Sequence, residues 1–231
     1  MLKSHEEAVI WFMQKENYER VHTRTKDMIN ILSKKFKNVK EPTFLFTIDK
    51  LSDDFVVTGL TYMRTETALT SDGVMKGRIV GVQDRISISL NGCYDYLDVL
   101  VLGDFPITEQ MFEDVLIFTC THELIHYYQG ETGAADLDDF STVNGEFLME
   151  ALKKITDKED AEQRHDFYGL YIEFICIGEC LSLCNENKFG NLSEIIELFS
   201  MVGLASIIYK GDEYSTVLNS SRETYRKLYN N

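Results

Sequence analysis

The chain has 231 residues, 44% of them hydrophobic and only two of them proline, which is enough to bury a sizeable core. Acidic residues outnumber basic ones by 38 to 23, and a formal net charge of -15 repels phosphate backbones and anionic lipids, so we expect no nucleic-acid partner and no membrane association. Five cysteines, in a chain whose first residues lack the apolar core of a signal peptide, predict reduced thiols and a cytoplasmic protein.

The first part of the chain carries apolar residues at helical spacing. Positions such as Ala8, Trp11 and Met28 predict one broken helix or two successive helices between residues 4 and 36. The pattern ends in the stretch from Asn38 to Pro42, where we expect the chain to leave the helix.

The next part changes from helical to strand-like periodicity. Four segments rich in β-branched and aromatic residues are separated by Gly and Asp clusters: Thr43–Ile48, Phe55–Leu60, Gly77–Val82 and Arg85–Leu90. They predict a small sheet, antiparallel or mixed.

A long helix is predicted after this sheet. Thr108 is a suitable N-cap, the apolar positions Met111, Val115 and Phe118 follow at helical spacing, and Gly130 is the expected end. The loop that follows is acidic and polar, and the rest of the chain again has helical periodicity, at about 143–156, 160–185, 192–208 and 214–229.

These elements predict an α+β fold with two lobes. Residues 1–130 form an N-terminal lobe with the leading helices, the sheet and the long helix, and residues 131–231 form a C-terminal helical lobe. We expect the two lobes to make one compact catalytic unit.

The long helix contains the sequence His122-Glu123-Leu124-Ile125-His126. Residues four apart share one face of a helix, so His122 and His126 can present two imidazoles to one ion, with Glu123 beside them. A zinc ion with three protein ligands keeps a fourth position for water and lowers the pKa of that water, and a nearby carboxylate can take the proton. The alternative is a helix with two surface histidines and an ordinary glutamate.

The segment Thr119–Tyr128 resembles the extended HExxH pattern of the zincin metallopeptidases, because the positions around and within the motif are uncharged. The resemblance implies a zincin-like fold, with the small sheet packed on the active-site helix. It also implies Zn²⁺ as cofactor and a peptide or protein as substrate. In this interpretation His122 and His126 bind the metal and Glu123 is the general base.

The third ligand is sought beyond the motif. Metzincins have a histidine where this chain has Thr132, which excludes that class. Glu146 stands twenty residues after His126, an interval similar to that of the thermolysin-like gluzincins. This likeness implies that Glu146 is the third ligand and that Glu150, one turn later, orients His122 through its other ring nitrogen.

Other residues compete for this position. Apart from Glu146, the third ligand could be one of Glu150, His165, Asp166 and Glu179. The run Asp166-Phe167-Tyr168-Gly169 resembles a shortened aspzincin pattern. If Glu146 binds the metal, His165 becomes a candidate catalytic residue that donates a hydrogen bond to the tetrahedral oxyanion, with Tyr168 and Tyr209 as alternatives.

Two further patterns yield expectations. Cys176, Cys180 and Cys184 recur every four residues and could hold metal, but core packing is the better interpretation because free cysteine behaves as a small hydrophobe. By analogy with zincins, the strand Arg85–Leu90 is expected to form the sheet edge that pairs with an extended substrate.

Two functions other than proteolysis remain open. One is a zincin-like domain that acts as a non-proteolytic binding or regulatory module. The other is a metal-free helical interaction protein. The intact Glu123 beside both histidines favours the hydrolase, since binding alone does not need a base.

Overall fold

The structure is a computed structural model. It describes residues 1–36, 39–52, 56–69, 75–101, 105–132, 173, 176–180, 182–183, 193–196, 198–199, 202 and 211–229, with the backbone alone for 63–69 and 75–80. The fold is α+β, mostly helical with a small mixed sheet of three strands. The chain forms two compact units, one of residues Met1–Tyr62 and Val82–Tyr128 and the other of Met63–Gly81 and Gln129–Asn231. The expected lobe boundary at residue 130 stays a prediction.

Two helices open the first unit, as the periodicity predicts: α1 spans His5–Met13 and α2 spans Lys15–Lys35. Ser4 caps α1 by accepting a hydrogen bond from the Glu7 amide, and the extended backbone of Gln14 separates the two helices. α2 has a mainly polar surface and buries one stripe at helical spacing, which includes Val21, Met28 and Leu32. Such a stripe needs a partner in the core.

The sheet has strands β1 (Thr43–Thr47), β2 (Gly59–Leu69) and β3 (Met75–Ser89) in the order β1-β3-β2. β1 and β3 are parallel, with registers from Thr43 opposite Arg85 to Thr47 opposite Ser89. Ile86 and Ile88 are buried on one face of β3, and Ser87 and Ser89 are buried on the other. Burial on both faces is what a central strand experiences.

The expected substrate edge at Arg85–Leu90 is therefore wrong. β1 covers one side of this segment, and on the other side the Ser89 amide donates a 2.8 Å hydrogen bond to the Thr58 carbonyl. The two strands predicted at 77–82 and 85–90 are one continuous strand, and the strand predicted from Phe55 to Leu60 begins only at Gly59.

A helix that the periodicity did not indicate, α3, follows at once and spans Leu90–Val101. The hydroxyl of Ser89 accepts a hydrogen bond of 2.9 Å from the Gly92 amide, which is the geometry of an N-cap. Leu90 is thus the first residue of a helix and not the last residue of a strand.

The long helix α4 spans Glu109–Thr132. The Met111 amide donates to the Thr108 hydroxyl, so Thr108 is the N-cap as expected, whereas the helix continues for two residues beyond Gly130. From residue 111 to residue 130 every position but one is buried, and the exception is His122. α4 is thus a central helix, enclosed on nearly all sides.

Ion pairs join α2 to α4. Arg24 donates to Glu113 at 2.6 Å and to Asp114 at 3.1 Å, and Arg20 also pairs with Glu113. Both carboxylates are 2% exposed, so their charges need these partners. Arg20 and Arg24 of α2 therefore anchor the N-terminal half of the helix that carries the motif.

The described residues from 173 to 229 in the second unit are helical except for Gly211, which lies in a turn. Residues 173, 176–180, 182–183, 193–196, 198–199 and 202 are helical, and the final helix, α5, spans Asp212–Tyr229. These positions agree with the helices predicted at 160–185, 192–208 and 214–229. The helix predicted at 143–156 lies outside the described residues. Within the described parts of the chain, no helix has the length and apolar composition needed to cross a bilayer.

Candidate metal centre

The two histidines of the motif meet on α4. Their Nε2 atoms are 3.1 Å apart, and the ring planes are nearly perpendicular, at 86°. The helix explains this arrangement, because side chains four residues apart lie one above the other on the same face. The spacing predicted this approach of the rings.

The separation of the two nitrogens fits a shared metal ion. With zinc–nitrogen bonds of roughly 2.0 to 2.1 Å, two nitrogens 3.1 Å apart subtend an angle of about 100° at the ion, close to the tetrahedral value. The same separation also suits a hydrogen bond from one neutral imidazole to the other. The geometry is compatible with a metal and does not identify which one.

The burial of the pair is asymmetric. His126 is only 3% exposed, whereas His122 is the half-buried position of an otherwise buried stretch of α4, where its ring lies 5.8 Å from that of Phe118. The alternative of two surface histidines does not hold for His126. His122 is thus the one position between residues 111 and 130 whose residue is partly exposed to solvent.

Glu123 belongs to α4 and packs against the beginning of β2. Its residue is 6% exposed, and the hydroxyl of Thr61 donates a 2.9 Å hydrogen bond to its backbone carbonyl. A Cβ atom placed on Gly59 would lie 2.5 Å from the Glu123 Cγ, so the strand backbone is in close contact with this side chain. This close contact restricts the conformations that the Glu123 side chain can adopt.

Two thiols lie near the same part of α4. Cys93 of α3 is 3.7 Å from the Thr119 hydroxyl, and burial raises the pKa of the Cys93 thiol to about 12. Burial also raises the pKa of Cys120. Both are neutral hydrophobic thiols at physiological pH, which suits packing and not nucleophilic chemistry.

The sequence reasoning missed the contribution of Gly59 and Thr61. A glycine inside a strand-like run, as in Thr58-Gly59-Leu60, is a known sign of a close approach by another chain segment. That sign says nothing about which segment approaches. Only the fold shows that it is Glu123.

Most of the other candidate residues lie in parts of the chain that the structure does not describe. Glu146, Glu150, His165, Asp166, Tyr168, Cys184 and Tyr209 lie outside the described residues. Glu179 is half-buried in the helical stretch 176–180, where Cys176 and Cys180 are buried thiols that form no disulfide. A buried thiol suits core packing and metal binding alike, so the role of these two cysteines, like the third ligand, stays a prediction.

Comparison of the chain with protein families, with curated proteins and with solved structures found no match.

Proposed function

We propose that this protein is a zinc-dependent metallopeptidase of the zincin type. The observation that carries the proposal is the 3.1 Å approach of the His122 and His126 Nε2 atoms, one residue from a buried glutamate. His122 and His126 bind Zn²⁺, and Glu146 is the third ligand by the interval that resembles gluzincins. Glu150 supports His122 from the polar side of the same predicted helix.

In this proposal each residue has a separate task. When bound, zinc polarises the peptide carbonyl and makes a water molecule acidic at neutral pH. Glu123 accepts the proton of the attacking water and later donates it to the leaving amine. His165 donates a hydrogen bond to the oxyanion that develops on the carbonyl oxygen.

The enclosed helix supports a catalytic site over a simple metal site. α4 is buried on nearly all sides and is tied to α2 by the ion pairs of Glu113 and Asp114, so the motif rests on a rigid element. Catalytic groups held by a rigid scaffold keep the geometry that a reaction needs. A binding module would not need Glu123 in this position.

The sheet suggests where an extended peptide binds. Among the strands of the described residues β2 lies at an edge of the sheet, and its first residue, Gly59, is in contact with Glu123. An extended peptide that adds to this edge would pass beside the proposed base. We therefore propose the edge of β2, in place of Arg85–Leu90, as the substrate strand.

The substitution Glu123→Gln tests the proposal directly. It removes the base and retains the size of the side chain, so hydrolysis of fluorescently labelled casein should fall by about 10²- to 10⁴-fold while zinc content stays at that of the wild type. Zinc is measured by elemental analysis. Glu131→Gln is the matched control, because Glu131 is exposed on the same helix and about 180° away from His122 around its axis.

Three results would argue against a metallopeptidase. Unchanged casein hydrolysis in the Glu123→Gln variant would exclude Glu123 as the base. Zinc in the wild type without hydrolysis of any peptide would favour a non-proteolytic binding module. A wild type purified under mild conditions without metal, and unable to take up zinc, would favour a metal-free interaction protein.

A further inference from the structure

We propose that Gly59 is a positioning residue that sets where the Glu123 carboxylate lies. The inference rests on the proposed role of Glu123 as general base. Gly59 has no side chain with which to take part in the reaction itself. Because Gly59 has no side chain, the Glu123 side chain can occupy the space next to it.

The contact is closer than a side chain at position 59 would permit. An added Cβ would lie 2.5 Å from Cγ and 3.0 Å from Cδ of Glu123, and 2.7 Å from the Thr119 Cγ2. Ordinary carbon contacts are about 3.5 to 4.0 Å. The backbone of Gly59 is not in the left-handed region, so space and not conformation is the reason for a glycine here.

The strand cannot retreat from Glu123, because its backbone is held on several sides. The Thr58 carbonyl accepts the Ser89 amide at 2.8 Å, and the Thr61 hydroxyl donates to the Glu123 carbonyl. A Cβ on Gly92 of α3 would lie 2.1 Å from the Val57 carbonyl oxygen, so α3 is also packed closely against this segment. The segment 57–61 is thus held by β3, α3 and α4.

A methyl group at position 59 must therefore displace both side chains that it would meet, those of Glu123 and Thr119. The Glu123 side chain can rotate, whereas the strand and the helix backbones cannot move without breaking these contacts. The carboxylate then leaves its position by about an ångström, a displacement that costs on the order of 10²-fold in rate for a catalytic group. Zinc binding by the two histidines does not need this carboxylate.

The first test compares Gly59→Ala with Gly81→Ala. Gly81 is the matched control, since an added Cβ on this β3 residue meets no described atom within 4 Å. With a quenched fluorescent casein peptide, we expect kcat of Gly59→Ala to fall about 10- to 100-fold, with KM and zinc content within twofold of the wild type. Gly81→Ala should match the wild type. A kcat of Gly59→Ala equal to that of Gly81→Ala overturns the inference.

The second test measures the contact without any activity. In a Thr119→Ser background, which removes the neighbouring methyl group, a double-mutant cycle combines Gly59→Ala with Glu123→Ala and follows urea unfolding. Glu123→Ala deletes the Cγ that position 59 would meet, so it should at least halve the fall in urea midpoint caused by Gly59→Ala. Equal falls in both backgrounds overturn the inference.

The double-mutant cycle is also informative if the Gly59→Ala variant does not fold. If Gly59→Ala is unfolded, the combination with Glu123→Ala should fold again, and failure to do so counts against the proposed contact. The two proposals fail separately. Absence of zinc and hydrolysis in the wild type sinks the metallopeptidase, whereas absence of coupling in the cycle sinks the positioning role of Gly59.

Discussion

Cys93 and Cys120 show how packing around α4 changes a single ionisable group. Both thiols are fully buried, Cys93 on α3 and Cys120 on α4 itself, and burial raises the pKa of Cys93 from its ordinary 9.0 to about 12. The Thr119 hydroxyl lowers the pKa of Cys93 and the negative charge of Glu123 raises it, both less than burial does. A low-dielectric interior disfavours the thiolate, the form that reacts.

We predict that neither thiol is alkylated in the native protein. Iodoacetamide at about pH 8 should leave Cys93 and Cys120 unmodified, as read by peptide mass spectrometry, and should modify both after denaturation in guanidinium chloride. Because the folded pKa of Cys93 is raised, its contribution to stability is complete below pH 9.0 and is lost as the pH rises towards about 12. Comparable alkylation rates in native and denatured protein would contradict the burial.

At the scale of secondary-structure elements, ion pairs join α2 to α4. Two arginines of α2 face two buried carboxylates at the start of α4, and removing one partner of a buried pair costs far more than removing one partner of a surface pair. The exposed pair of Lys40 and Asp84 provides the contrast within the same chain, because both side chains are mostly in solvent. There Lys40 lowers the pKa of Asp84 by a hydrogen bond and its charge.

We predict that Arg24→Ala destabilises the fold by about 3 to 5 kcal/mol, since it leaves the charges of Glu113 and Asp114 buried without that guanidinium. Lys40→Ala is the control and should leave the denaturation midpoint close to that of the wild type, because solvent screens this exposed pair. Chemical denaturation of both variants measures the difference. Equal costs would mean that the α2–α4 pairs are no stronger than a surface ion pair.

At the scale of the whole molecule, a bound metal would link distant parts of the sequence. The two histidines lie within one turn of α4, whereas the proposed third ligand, Glu146, is twenty residues further along the chain. A metal that needs both segments binds the folded chain better than the unfolded one and so stabilises it. The free energy of unfolding then depends on the zinc concentration.

We predict that removal of zinc with a chelator lowers the melting temperature by about 10 °C and that added zinc restores it. His126→Ala should abolish the effect of zinc, and Glu146→Ala should weaken it strongly. Single alanine variants of Glu150, His165, Asp166 and Glu179 should retain most of it. If one of these four loses zinc and Glu146→Ala does not, the third ligand is that residue.

The sequence by itself determined the local features of this protein. The sequence pattern predicted one broken helix or two successive helices at the N-terminus, the capped start of α4 and the final helix, because each depends on neighbours within a few residues. The four-residue spacing of His122 and His126 also predicted that their rings would meet. Their role as zinc ligands, and every candidate third ligand, stays a prediction.

Only the tertiary structure decided the arrangement of the sheet and the surroundings of Glu123. Strand order depends on contacts between residues far apart in sequence, so the pattern Ile86-Ser87-Ile88-Ser89 could not tell a central strand from an edge. For the same reason, nothing local in Thr58-Gly59-Leu60 indicates that this glycine packs against Glu123, more than sixty residues later. Packing between distant segments places the proposed base, and that packing is a property of the folded chain alone.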